Sequence, residues 1–328
     1  MIDFCYQDKV NVLQGLNLAS SSPFDRHEWF TILADTEPKA RVATAFNAIG
    51  AAALPLVERN GRLESLVNWY AFGWRPLFTP GANRDALLVE LARNLKSHRN
   101  RVTLWPLPDE DGSASAVEQA FRKAGWAAFR SRCDTCHILP VNGRTYTNYL
   151  ASRPGKLRTT LKRKAKKLCV DIYTHFQDDL WNIYEEIYKE SWKPEESDPA
   201  LLRRFAQQEG NAGRIRFALA RSAGKPLAVQ FWTVESGRAF IHKLAHLPEA
   251  QPLSPGSVLT AALMERVIDV DGVEIVDFGT GDDPYKADWM ESIEPRFLID
   301  CHDPANLRSW PHILRGTARN LASRWRDG

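Results

Sequence analysis

The chain has 328 residues, 44% of them hydrophobic and 25% charged, with a formal net charge of +3. That length carries two domains of ordinary size, each with its own core, and the net charge is too small to imply nucleic-acid binding by itself. No apolar run reaches the length of a membrane span, and the opening residues MIDFCYQDKV lack a basic stretch followed by an apolar core, so a cytoplasmic chain, free or peripheral to a membrane, is expected.

Residues 1 to 140 read as strands and helices joined by turn-rich segments. A short helix is expected over Phe24 to Leu33, then strands over Ala40 to Leu56 and Leu63 to Phe78, broken at Asn60-Gly61. A helix over Arg84 to Lys96, a strand over Arg101 to Trp105, a helix over Ser115 to Lys123 and a strand over Ala127 to Leu139 complete this half. The segment Lys156 to Lys167 carries seven basic residues and no acidic one, while Leu157, Leu161, Ala165 and Leu168 fall on one helical face. It reads as a helix with a solvated basic face, or as one that meets cofactor phosphates, nucleic acid or anionic lipid. The helix Asp178 to Trp192 places Trp181, Tyr184, Tyr188 and Trp192 on roughly one side, a stripe that belongs to a core or borders an apolar substrate channel.

From Arg214 to Leu247 three runs rich in Val, Ile, Phe and Trp are cut by Ala223-Gly224 and Ser236-Gly237, the mark of an antiparallel meander. A Pro-Gly-Ser turn then opens a helix, with Ser257 as N-cap and Leu259, Leu263, Val267 and Val270 at helical spacing, before strands over Val273 to Phe278 and Arg296 to Cys301. A helix start pressed against a sheet presents free N–H groups and the positive end of a dipole, which suits a phosphate-bearing ligand. The second half thus repeats the element order of the first.

Several short motifs lack their context. Cys133-Asp-Thr-Cys136-His137 matches the haem attachment pattern, but it sits in a strand of an α/β unit, and no second close pair completes a zinc site, so neither haem nor metal is expected. The five scattered cysteines fit reduced thiols. His27-Glu28 has no second histidine for a zinc-protease pattern, and Asp277-Phe278-Gly279 has no other kinase element around it. What remains is chemistry that needs a positioned co-substrate and a proton shuttle. His242 and Lys243 lie mid-strand and by alternation face opposite sides of the sheet. Asp277, Asp282, Asp283, Tyr285 and Lys286 follow the last strand into a glycine-rich connection, where a rigid scaffold positions functional groups.

The order meander, turn, helix, strand, with SPGSVLTAALMERVI and VDFGTGDDPYKADW, resembles the GNAT acyltransferase superfamily, and within it the FemAB-like and CelD-like branch that carries two such units in tandem. The resemblance implies an α/β (α+β) fold of two tandem GNAT-like units, each a mostly antiparallel mixed sheet flanked by helices: residues 1–145, degenerate, and residues 146–328, catalytic. It implies acyl-CoA, or an acyl-carrier thioester, as co-substrate. Its pyrophosphate is expected at Ser254, Pro255, Gly256, Ser257 and Val258, with Lys243 beside it. An amine attacks the thioester carbonyl, with His242 or Asp277 as base, Tyr285 protonating the leaving thiolate and Lys286 anchoring an anionic part of acceptor or cofactor. The branch modifies cell-envelope material. Eleven tryptophans and the basic helix favour an amine acceptor that is a lipid, such as a long-chain sphingoid base in a ceramide-synthase-like reaction, at an anionic membrane surface met through Lys156 to Lys167. The alternatives are transfer from aminoacyl-tRNA to peptidoglycan precursors and a non-catalytic accessory role in exopolysaccharide synthesis.

Overall fold

Three two-residue turns set the layout. Asn60-Gly61, Ala223-Gly224 and Ser236-Gly237 each hold both central residues at positive φ, between 48° and 80°. That geometry matches the right-handed twist of paired strands and folds the flanking apolar runs into tight hairpins. The computed structural model describes residues 1–324. In chain order its first part contains β1 (Asp3–Gln7), α1 (His27–Thr36), β2 (Ala40–Phe46), β3 (Ala51–Arg59), β4 (Arg62–Ser65), β5 (Leu77–Phe78), α2 (Arg84–Leu95), β6 (Arg101–Leu107), α3 (Ser113–Lys123) and the long β7 (Ala127–Pro140). There follow α4 (Tyr146–Ala151), α5 (Gly155–Lys164), β8 (Cys169–Tyr173), α6 (Asp178–Glu190), α7 (Pro199–Asn211), β9 (Ile215–Ser222), β10 (Lys225–Glu235), β11 (Arg238–His246), α8 (Pro255–Glu265) and β12 (Ile275–Thr280). Last come β13 (Ser292–His302) and α9 (Trp310–Arg324).

Two compact units result, one of residues 1–135 with 294 onward, the other of residues 136–293. In the first, the strand order is β1-β2-β3-β4-β6-β13, with only β4 and β6 parallel. In the second, the order is β7-β12-β11-β10-β9-β8, with only β11 and β12 parallel. Each unit is therefore an antiparallel meander, a helix, a parallel strand and an antiparallel closing strand. The division differs from the boundary at 145/146 drawn from sequence order. The closing strand of the first unit is β13, from the C-terminal segment, and that of the second is the end of β7, where Ile138 opposes Asp277. A linear cut cannot express such an exchange.

Other elements differ from the sequence reading for identifiable reasons. The expected strand Ala40 to Leu56 is a hairpin that turns at Asn47, whose side chain accepts the Ile49 and Gly50 N–H groups. The strand expected over Leu63 to Phe78 ends at Ser65, and its apolar continuation is buried as irregular chain, with the Trp74 indole donating to the Pro55 carbonyl at 3.1 Å. Pro255, not Ser257, opens α8, and Ser254 stands at its cap with φ +52°. Leu259, Leu263 and Val267 are fully buried as their spacing requires, but Val270 is 64% exposed. The helix widens to a π-turn over Arg266–Val270, and the wider turn rotates the last position off the buried stripe.

In the second unit, Trp181, Tyr184, Ile187 and Tyr188 of α6 pack on one face of the sheet, while α5 and α8 cover the other around Trp232, Leu263 and Met264. Gly210, in the last turn of α7, is where a β-carbon would lie 2.5 Å from the Phe176 backbone nitrogen. Backbone cannot swing aside as a side-chain tip can. Gly210→Ala is therefore expected to destabilise the protein by about 1–3 kcal/mol, read from chemical denaturation; an unchanged midpoint would show that α7 is not packed this closely.

Candidate functional site

Strands β11 and β12 pair only from Arg238↔Ile275 to Phe240↔Asp277, although β11 continues to His246 and β12 to Thr280. Beyond that point the two parallel strands separate, and the sheet opens next to the start of α8. Ser254 holds the left-handed conformation, Pro255 has no N–H to offer, and no side chain caps the helix. The first bond of the turn runs from the Val258 N–H to the Ser254 carbonyl at 3.2 Å. Gly256 and Ser257 thus supply the first-turn N–H groups, at the positive end of the helix dipole. A β-carbon on Gly256 would come within 2.9 Å of a Leu244 methyl carbon, so glycine lets the helix start lie against β11.

A cavity of about 530 Å³ occupies this opening. Ser254, Gly256 and Ser257 line it, as do Trp192, Lys193, His246, Thr260, Asp283, Tyr285 and Trp289. Of the predicted residues, the structure brings together Ser254, Gly256, Ser257 and Tyr285. It does not bring Val258, Lys243, His242, Asp277 or Lys286 to that lining. Val258 is buried on the other side of α8. Asp277 is buried on β12, accepting the Gly279 N–H at 2.8 Å and lying 3.6 Å from Arg238. Lys286 is also buried, and its ammonium donates to the carbonyls of Gly279, Thr280 and Gly281 at 3.3, 2.5 and 3.1 Å. A lysine clamped on three carbonyls orders the loop after β12 and leaves little capacity to anchor an anion. His137 extends the same support, its Nε2 lying 3.0 Å from Asp282 in that loop. Tyr285, which the loop presents, has its phenol pushed up to about 12, first by its surroundings and then by the Asp283 charge. It is a proton donor at neutral pH.

His242 and Lys243 do not face opposite sides. The register between β10 and β11 slips where Phe231 opposes Lys243 and Trp232 opposes Ile241, leaving His242 as an extra residue. This bulge turns both side chains toward α6 and α7. The His242 ring stacks on Phe231 and meets the edge of Phe205, each at 5.1 Å between centroids, and its Nε2 lies 2.8 Å from the Thr233 hydroxyl oxygen. Burial, aided by the Lys243 charge, pushes His242 down to about 3. An imidazole that stays neutral at such acidity is too weakly basic to draw a proton from an ammonium group.

Lys243 belongs to a different constellation. It is buried, lies 2.9 Å from a Glu196 carboxylate oxygen and sits over the Tyr188 ring at 5.7 Å. Burial brings its ammonium down to about 8 although Glu196 opposes the shift. Glu196 and Tyr188 line a second cavity of about 710 Å³ between α6 and α7, with Trp181, Tyr184, Pro199 and Leu202 as apolar walls. The two cavities share Lys193 and Pro194. The aromatic stripe of α6 is thus partly core and partly cavity wall. Glu196 and Lys193 were not singled out from the sequence as site residues, because the connection between α6 and α7 carries no motif, and neither was His246 at the end of β11.

Residues 155–287 match the family model described as acetyltransferase (GNAT) domain. No curated protein matches the chain. Among solved structures, FemX is similar with a TM-score of 0.62 at 10% identity, over 88% of this chain and 94% of that one. The C-terminal domain of a protein described as a lysylphosphatidylglycerol synthetase from Agrobacterium fabrum is similar with a TM-score of 0.60 at 15% identity, over 94% and 95%. A tandem GNAT protein from the clavulanic acid biosynthesis pathway aligns with a TM-score of 0.50 at 14% identity, over 91% and 98%. At these identities the likeness is one of fold.

The environment of His242 makes a stability prediction. Its folded-state pKa lies below the unfolded value near 6.5, so between those limits the unfolded chain binds a proton that the native one does not. Stability contributed by neutral His242 is full above pH 6.5 and declines as pH falls toward the folded value. Denaturation midpoints of His242→Gln should therefore drop less between pH 7 and pH 5 than those of the unaltered protein; parallel declines would mean that the ring is not held neutral.

Proposed function

We propose that residues 155–287, which match the family model described as acetyltransferase (GNAT) domain, form an acyltransferase joining an acyl thioester, acyl-CoA in the first instance, to a primary amine on an apolar acceptor. The observation that carries the reading is the pair of adjoining cavities. One has a helix N-terminus and a neutral phenol, the other aromatic walls and the Glu196 carboxylate with Lys243 paired behind it, and Lys193 and Pro194 border both.

In this reading the phosphates of the donor accept from the Gly256 and Ser257 N–H groups, with the Lys193 side chain along the same lining. The acceptor amine enters from the aromatic cavity, where Trp181, Tyr184 and Tyr188 favour a hydrocarbon body and Glu195 and Glu196 favour an ammonium head. An amino-lipid with a long-chain base is the acceptor class that this lining suits. The ammonium passes its proton by way of the Glu196 carboxylate on the cavity wall to neutral Lys243, 2.9 Å from it, which a pKa of about 8 makes available near neutrality. The amine nitrogen forms a bond to the thioester carbonyl carbon and sheds its surplus proton to solvent as the carbon–sulfur bond breaks. Tyr285 donates its proton to the departing thiolate and is reprotonated from solvent. His242, packed against Phe231 and Phe205, and Asp277, buried on β12, hold the scaffold.

Purified protein incubated with long-chain and short-chain acyl-CoA and a panel of lipid amines, amino sugars and peptides should release free CoA and form an amide only with the apolar amines, by mass spectrometry. Since Lys243 must be neutral to act, kcat/KM should rise with pH to a plateau above about 8. Lys243→Met should remove that rise and lower kcat by about 100-fold or more, with Tyr285→Phe also lowering kcat. Transfer only from aminoacyl-tRNA would replace the donor, and no transfer from any donor would favour an accessory role.

A further inference from the structure

The opposite side of α8 carries a second surface. Leu157 and Leu161 bury one side of α5, while Lys156, Arg158, Lys162 and Arg163 are exposed on it, and Lys166 and Lys167 are exposed on the turn that follows. Beside these six cations lies a cavity of about 440 Å³ between α4, α5 and α8. Leu150, Leu161, Leu168, Val258 and Ala261 line it with Tyr146 as the aromatic member, and Arg158 and Lys162 belong to the same lining. Glu265 on α8 is its acidic member. A solvated basic helix has no need of an open aliphatic groove beside its charges. Nucleic acid has no need of one either, since bases are held by aromatic stacking and phosphates by the cations alone.

We propose that this face docks an anionic phospholipid bilayer, with headgroup phosphates on Arg158, Lys162 and Lys166 and one acyl chain in the aliphatic groove. The two halves of the surface are complementary to the two halves of such a lipid, and together they form the amphipathic arrangement that binds at a membrane interface. Among the described residues no helix is long and apolar enough to cross a membrane, so this contact is peripheral. Helix α8 joins the docking face to the first cavity. Its residues Val258, Ala261 and Ala262 line the groove, and Gly256, Ser257 and Thr260 line the cavity at its N-terminus. Lys164 ties α5 to the approach to that cavity by donating to the Pro252 carbonyl at 2.8 Å.

The full chain, co-sedimented with vesicles of phosphatidylcholine alone or of phosphatidylcholine with phosphatidylglycerol, provides a test that needs no transfer activity. Binding is expected only to the anionic vesicles, falling about tenfold or more from low to high salt as screening rises. The triple variant R158E, K162E and K166E should abolish it. Ala165→Trp, which fills the groove from an exposed position and leaves every charge in place, should weaken it several-fold with an unchanged melting temperature. Binding insensitive to Ala165→Trp would overturn the acyl-chain half of the proposal. Absence of vesicle binding, or preference for an RNA homopolymer over the vesicles, would overturn the whole.

Discussion

The second unit depends on a failure of strand pairing. Parallel strands that stay in register close the sheet between them, and β11 and β12 do so for only three pairs before they part. The separation needs support on both sides, because strands released from pairing leave backbone groups to satisfy. On β11 the bulge at His242 redirects the strand and packs the ring between Phe231 and Phe205. On the other side, Lys286 takes up three carbonyls just where β12 ends. The start of α8 is then laid against Leu244 through Gly256, which puts its N–H groups into the opening. Remove any one of these and the cavity loses a wall.

This division between groups that shape the opening and groups that face it explains which parts of the site were legible in the sequence. SPGS could be read because a helix start has a local signature and its chemistry is backbone chemistry, which does not depend on side-chain direction. Tyr285 could be read because it follows a strand end in a glycine-rich loop. His242, Asp277 and Lys286 carry the same kinds of functional group, yet Asp277 and Lys286 turned out to be buried and His242 packed between Phe231 and Phe205, all three engaged. Sequence alternation cannot anticipate a one-residue bulge, and that bulge brought His242 and Lys243 to one face. Nor does sequence reveal that a lysine seven residues past Gly279 folds back on its own loop. At the level of fold, the meanders and their turns were legible because each is local. The exchange of closing strands, with β13 returning to the first unit and the end of β7 serving the second, was not, because it is a pairing between distant segments.

Lys243 and Lys286 show how burial decides the fate of one functional group. Both side chains are buried. Lys286 donates to three backbone carbonyls and is tied to the loop after β12. Lys243 lies against the Glu196 carboxylate and the Tyr188 ring, and burial leaves its proton loosely held. The same contrast separates the carboxylates. Asp277 is held by a backbone N–H and by Arg238 inside the sheet, whereas Glu196 lines an open cavity while paired with a lysine whose charge is itself negotiable.

Helix α8 draws these features into one line of reasoning. It is apolar on nearly every side, and of its first two turns Gly256, Ser257 and Thr260 line a cavity, while Val258, Ala261 and Ala262 turn toward an aliphatic groove beside α5. A helix that merely filled a core would be covered on both sides. This one is left open at its N-terminus toward charge and along its flank toward hydrocarbon. A polar opening and an aliphatic groove thus meet the same short helix within a few residues of each other.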